Sequence, residues 1–335
     1  MDLLLDGSDA GGQFVRTAVA LAAITGKAIK ITNIRGARPE PGLKTQHIEG
    51  IRAIASLCNA EIEGLEVGSR TLTFLPGRLE AKDIEINIST AGSIGLVLQA
   101  LLLVTANLDK SIKIKIHGGG TWNKWAPPVC YFNHVFLPLI KEDSEIKILK
   151  EGFYPKGGAE VEILTKSWTT QEINITDAGR IDDVEIFSFA SQDLQRRNVA
   201  ERQAEAAAKY IKEKLKLEAK INASYSQTDS TGTGILIVCR TENSIFGADA
   251  LGELGQPAER VGATAAKYLV QDLFSGAVDI HAADMLLPYI TFHGSGKIFI
   301  PSLTHHVVKN IEVLEKFFGK KFKIEERGRG VLVEL

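Results

Sequence analysis

Between Leu5 and His47 the chain gathers residue types that suit the handling of phosphate. A glycine turn, Asp6-Gly7-Ser8-Asp9-Ala10-Gly11-Gly12-Gln13, opens a predicted helix. Glycines at a helix start leave backbone N–H groups open to an anion. Arg16 lies one turn into that helix. Arg35 and Arg38 leave a predicted strand on the loop Ile34-Arg35-Gly36-Ala37-Arg38-Pro39-Glu40-Pro41-Gly42-Leu43, with Gln46-His47 just beyond. Arginines converging on one helix N-terminus grip phosphate, because the guanidinium fork matches its oxygens. The turn lacks the Gly-Lys-Ser/Thr of a Walker A loop and is not Gly-x-Gly-x-x-Gly, so neither standard nucleotide loop applies. A glycine turn before a helix also serves as plain structure; the paired arginines on a proline-stiffened loop favour the functional reading.

A second candidate is Ser302-Leu303-Thr304-His305-His306-Val307-Val308-Lys309-Asn310. Thr304 is a predicted N-cap, which places His306 in the first turn of the last long helix. A neutral imidazole there can attack phosphorus. Adjacent histidines also suggest a metal, but they lack an i,i+4 partner on the helix. Another glycine turn, His117-Gly118-Gly119-Gly120-Thr121, runs into Trp122-Asn123-Lys124-Trp125-Ala126-Pro127-Pro128. That segment reads equally as a flank for a flat base or as a tight loop with two packed tryptophans. Gln99 and Asp284 interrupt apolar helices, where a buried polar group needs a partner, structural or functional.

The elements that position these residues repeat in pattern. The first unit reads strand 3–6, helix 12–25, strand 29–34, helix 45–58, then strands near 61–65 and 71–75. The second reads strand 83–88, helix 95–107, strand 111–116, helix 129–141, then strands 145–149 and 159–164. The C-terminus supplies helix 282–292, strand 297–300, helix 304–318 and strands 321–325 and 331–335, with no first strand that can be placed. Segment 183–274 has strands at 184–189, 220–225 and 235–239 and an amphipathic helix 198–216, which reads as an inserted α+β subdomain. The expected architecture is an α/β large domain of three βαβαββ repeats over 1–180 and 275–335, with a smaller α+β domain inserted at 181–274.

At 335 residues with a formal net charge of −2, the chain has room for this layout and no global basic field. Contact with nucleic acid would have to be local, as at an RNA end. The longest apolar run, 95–108, is interrupted by Gln99 and too short for a membrane, and no secretory leader is visible. Cys58, Cys130 and Cys239 are scattered without a Cys-x-x-Cys pair, which predicts buried thiols in a reducing cytoplasm. The oligomeric state has no signature.

Taken in order, these segments resemble the RNA 3′-terminal phosphate cyclases. The resemblance rests on Leu5-Asp6-Gly7, Gly11-Gly12-Gln13-Phe14-Val15-Arg16, the Ile34–Leu43 loop with Gln46-His47, and Thr90-Ala91-Gly92-Ser93 with Leu96-Val97-Leu98-Gln99. It continues in Gly119-Gly120-Thr121 with Ala126-Pro127-Pro128, and in Gly152-Phe153-Tyr154-Pro155-Lys156-Gly157-Gly158. Ala283-Asp284-Met285-Leu286-Leu287-Pro288 and His306 with Asn310-Ile311 complete it. The resemblance implies the three-repeat fold, related to the enolpyruvyl-transferase architecture, with one inserted domain. It also implies conversion of an RNA 3′-phosphate to a 2′,3′-cyclic phosphodiester with ATP and Mg²⁺ or Mn²⁺.

On the same resemblance, His306 is the nucleophile that holds AMP, and Arg16, Arg35, Arg38 and Gln46 engage phosphates. Gln99, Pro127 and Asp284 line the adenylate pocket. Asp9 stands where the family commonly has Glu, as a catalytic and metal-binding carboxylate, and Lys309 where it commonly has Thr. Phe246 is the match for an aromatic against the adenine, and His281 replaces a Tyr found in some members. A non-catalytic cyclase-like assembly factor typically lacks the histidine present here, and an enolpyruvyl transferase shares architecture only.

Overall fold

Three stretches of the chain build the same four-stranded sheet, and a fourth sheet is inserted into the third. The computed structural model describes residues 1–124, 126–169 and 171–335. The first stretch runs β1 (Leu3–Asp6), α1 (Gly12–Thr25), β2 (Ile29–Thr32), α2 (Thr45–Cys58), β3 (Glu61–Glu63) and β4 (Leu72–Leu75). The second runs β5 (Ile84–Ser93), α3 (Ile94–Thr105) and β6 (Lys113–Gly120). A helical stretch follows as α4 (Val129–Tyr131), a π turn (Phe132–Phe136) and α5 (Leu137–Leu139), then β7 (Glu145–Lys150) and β8 (Glu160–Leu164).

The third begins with β9 (Ile173–Ile175) and is then interrupted. The inserted elements are β10 (Ile181–Ser191), a 3₁₀ turn (Gln192–Arg197), α6 (Val199–Leu215), β11 (Lys220–Ser226), β12 (Thr233–Thr241), β13 (Ile245–Leu251) and α7 (Ala258–Ser275). The third stretch resumes with α8 (Ile280–Met285), α9 (Leu287–His293), β14 (Gly296–Ile300), α10 (His305–Phe318), β15 (Lys323–Arg327) and β16 (Gly330–Glu334). The orders β1-β2-β4-β3, β5-β6-β8-β7 and β9-β14-β16-β15 are one topology, each opening on a parallel pair and closing with antiparallel pairs.

The strand that sequence reasoning could not place is β9. It is three residues long, and its parallel partner β14 lies beyond the whole inserted segment, pairing Gly296 with Ile173. Periodicity has little to read in so short a run.

Two predicted helices depart from the expected form, both at proline. The helix expected over 129–141 widens into a π turn, with the Leu137 N–H reaching the Phe132 carbonyl. Pro138 has no N–H to give and its ring crowds the preceding turn. The helix expected over 282–292 breaks into α8 and α9 at Leu286, with Pro288 in the first turn of α9. Pro288 therefore leaves the carbonyl of Asp284 without its intrahelical donor.

Helices α1 and α3 are buried almost all round, which is why their sequences are apolar on every face. Ser93 caps α3 by accepting the Leu96 N–H at 3.2 Å, and Gly26 closes α1 in the left-handed region. With α2 and α10 packed against α1, these helices bring their N-termini to one side of the molecule.

The inserted sheet, ordered β11-β10-β12-β13, alternates its side chains between two cores. Ile235 and Ile237 face α6 and α7, while Leu236 and Val238 join the main core. Elements β13 and α7 were not resolved by sequence reasoning. Gly247 and Asp249 weaken the strand signal of β13, and Gly262 interrupts α7 where it crosses α6. A Cβ at Gly262 would lie 1.9 Å from the Gln203 carbonyl, so that crossing needs glycine. Among the described residues no helix is long and apolar enough to cross a membrane.

Candidate active site

The first turn of α1 is built to be approached. Gly11, its N-cap, is extended (φ −85°) and no side chain caps the helix. His47, buried in the first turn of α2, packs so tightly that a Cβ on Gly12 would fall 2.0 Å from its Nε2. Its Nδ1 accepts the Lys44 N–H at 3.0 Å. Burial first, then Arg16 and Arg35, hold the ring neutral by lowering its pKa to about 3. Glycine at position 12 thus lets two helix starts meet.

The two loop arginines divide their tasks. Arg35, in the left-handed region at φ 53°, donates through Nη1 to the carbonyls of Glu40 (2.9 Å) and Gly42 (3.0 Å). Through that nitrogen it clasps its own loop. Arg38 is carried to the helix start, where its Nη2 lies 3.5 Å from the position of a Cβ on Gly11.

Behind this surface lies a buried polar set. Arg16 donates through Nη2 to Gln99 Oε1 at 3.3 Å, and burial lowers its pKa only to about 10, so it stays charged at neutral pH. Asp284 Oδ2 accepts from Gln13 Nε2 and lies 3.9 Å from His306 Nδ1, beyond hydrogen-bond length. Burial raises the Asp284 pKa to about 7 against the lowering effect of His281, Arg16 and Gln13. The Asp284 carbonyl, orphaned by Pro288, accepts from Asn310 Nδ2 at 2.6 Å.

Asn310 and His306 are four residues apart on α10 and therefore share a face. Thr304 caps that helix as expected, its Oγ1 accepting the Val307 N–H at 3.2 Å. The His306 ring is half-exposed, and its pKa lies below the ordinary value through burial and then Arg16, His305 and Arg38. The structure thus joins an open imidazole, a buried carboxyl facing its Nδ1, two arginines and an uncapped helix start.

The other expected residues fall around this centre. His281 Nε2 meets Asp249 Oδ1 at 2.9 Å in a cleft of about 560 Å³ walled by Asn123, Ala126, Gly247 and Asp272. Burial opposes the charge on His281, but Asp249, Asp279 and Asp284 raise its pKa to about 9. Pro127 is buried, and its carbonyl abuts Gly95 at the start of α3. Gln46 lines a separate cleft with Ser93 and Leu96. Trp125 lies outside the described residues.

Two expectations are corrected. Phe246 is fully buried in the core between the inserted sheet and its helices, so its ring has no face for an adenine. Alternation along β13 turns it toward α7 rather than toward the site. Asp9 is exposed, and its carboxylate meets Lys309 Nζ at 3.4 Å and His305 Nε2 at 3.5 Å. Lys309 and then His305 hold its pKa below the ordinary value, and among the described residues no group of three His, Cys, Asp or Glu side chains is arranged to hold a metal. The residues present do not fit a resident divalent ion at Asp9.

With this geometry, the comparison with known proteins is decisive. Residues 8–324 match the family model of RNA 3′-terminal phosphate cyclase. The chain belongs to that family. It is 43% identical to the RNA 3′-terminal phosphate cyclase of Pyrococcus abyssi, over 96% of this chain and 95% of that protein. The protein of that name from Pyrococcus furiosus is 41% identical over the same shares. That of Halobacterium salinarum is 37% identical, over 94% of each chain.

Gln13 and Asn310 belong to the cyclase-like segments, and the structure ties both to Asp284. Asn310 was legible from its i,i+4 spacing to His306; Gln13 was not, because its partner Asp284 is far along the chain. The burial of Phe246 yields a direct expectation. Phe246→Ala should cost about 3–5 kcal/mol in denaturant unfolding; unchanged stability would contradict the burial of the ring.

Proposed function

We propose that this protein converts an RNA 3′-terminal phosphate to a 2′,3′-cyclic phosphodiester, using ATP, through an AMP adduct of His306. The observation that carries the proposal is His306 in the capped first turn of α10, with Nδ1 toward buried Asp284 and the ring open to solvent. With the proton on Nδ1, the Nε2 lone pair is the nucleophile, and Asp284 Oδ2, 3.9 Å from Nδ1, is placed to stabilise the charge that the ring gains.

In the first step Nε2 bonds to the α-phosphorus of ATP as the bond to the bridging oxygen breaks, and pyrophosphate leaves with the electron pair. Arg38 and the start of α1 face the developing charge. Arg16 is the fixed buried cation beside Asp284. In the second step an oxygen of the RNA 3′-phosphate takes AMP from His306, and the N–P bond returns its electrons to Nε2. In the third, the neighbouring 2′-hydroxyl attacks the activated 3′-phosphorus, loses its proton and expels AMP. Adenylation is what turns a poor leaving group into a good one.

The cleft that holds His281 and Asp249 is of a size for the adenosine, with Asn123 and Ala126 in its wall. No resident metal enters the proposal; Mg²⁺ or Mn²⁺ would arrive as the counter-ion of ATP. The protein is proposed to act in the cytoplasm on RNA ends.

Incubation with ATP labelled at the α-phosphate, followed by denaturing electrophoresis, tests the first step. Acid-labile label on the parent protein and none on His306→Ala is expected; no label on folded parent protein sinks the mechanism. The pH profile is a second test. His306 has a lowered pKa and is neutral near pH 7, whereas burial raises the Asp284 pKa to about 7, so the negative charge beside Nδ1 is gained as pH rises through that value. Single-turnover labelling should therefore rise with pH through about 7, and Asp284→Asn should be slower by roughly 10²-fold and lack that limb. A profile unchanged by Asp284→Asn would remove the carboxylate from the step.

A further inference from the structure

A second cleft, of about 680 Å³, leads away from the candidate active site. It opens at Gln46 in the first turn of α2 and at Ser93 and Leu96 at the start of α3. Leu96 and Gln99 are three residues apart on α3, so one helical turn separates this cleft from the Gln99–Arg16 contact.

Its far wall carries three aromatic side chains in different states. Trp122 and Phe153 are already covered: a Cβ on Gly234 would lie 2.3 Å from the Trp122 ring, and one on Gly232 2.2 Å from the Phe153 ring. Phe153 also stacks on Phe189, with centroids 5.9 Å apart. Tyr154, the next residue, is 78% exposed, and Leu254 stands fully exposed across the same cleft. Thr231 lines both this cleft and a polar groove of about 850 Å³ that holds Gln192, Gln195 and Arg196, with Asp229 paired to Lys150 and Asp193 accepting from Thr231.

We propose that this cleft takes the last nucleotides of a single-stranded RNA 3′ end, with Tyr154 as the ring on which a base stacks. The inference rests on the function proposed above. A nucleoside triphosphate has its own cleft beside His281 and has no use for a track that continues past Thr231. A polynucleotide does: its 3′-phosphate must reach His306 while the preceding residues leave the molecule. Tyr154 and Leu254 offer apolar surface to base faces, and the side-chain amides and Arg196 suit sugar and phosphate. Stacking reads no base edge, so the site should accept ends of any sequence.

The test uses the full chain and a short oligoribonucleotide carrying a 3′-phosphate, with binding followed by fluorescence anisotropy. Tyr154→Ala should weaken binding about 5- to 100-fold, the range of one lost base–aromatic stack, and Tyr154→Phe should restore most of it. Arg196→Ala should weaken binding less and flatten its salt dependence. Transfer of AMP from ATP to the enzyme, which involves no RNA, is measured on the same preparations and reports the fold and the first half-reaction separately. Tyr154→Ala binding the oligonucleotide as tightly as the parent overturns the proposal. Absence of enzyme–AMP in the parent overturns the function instead, and the binding assay still reads the cleft.

Discussion

One hydrogen bond ties the candidate nucleophile to its carboxylate. Pro288 has no N–H, so the carbonyl of Asp284 loses its donor within the helix, and Asn310 on α10 supplies one at 2.6 Å. That bond fixes the register between the break at Leu286 and the helix that carries His306. An orphaned buried carbonyl costs about 1–3 kcal/mol, enough to hold the two elements in place. The side chain of Asp284 then faces His306 Nδ1 because its backbone is pinned from the same helix.

The rest of the site follows from keeping charges in a largely dry interior. Arg16 and Asp284 are both buried, and each offsets part of the desolvation of the other. Gln13 donates to Asp284 Oδ2 and Gln99 accepts from Arg16 Nη2, while Arg16 Nε has no hydrogen-bond partner among the described residues. His47 remains neutral beside these charges and serves as packing between α1 and α2, which is why position 12 has room only for glycine. Arg35 closes the loop from which Arg38 projects. Arg38 and the uncapped first turn of α1 are left facing the surface.

The repeat pattern was legible because each unit alternates period-two strands with apolar helices, and the order survives in composition. What escaped were features set by distant partners. A three-residue strand has no signal apart from the β14 edge on which it pairs. Phe246 and Asp9 show the same limit in the site. Nothing local tells which face of β13 meets the core, or that the carboxylate at position 9 would find Lys309 and His305. Conversely, the threonine that caps α10 ahead of His306 follows a local rule that needs no distant partner.

The central claim is that His306 Nε2 carries AMP. Peptide mapping by mass spectrometry after brief incubation with ATP, under conditions that preserve phosphoramidates, tests it most directly. One AMP on the peptide containing His306, lost on mild acid treatment and discharged by a 3′-phosphorylated RNA, is the predicted result. An adduct on a lysine, or on His305 with His306 unmodified, would contradict it.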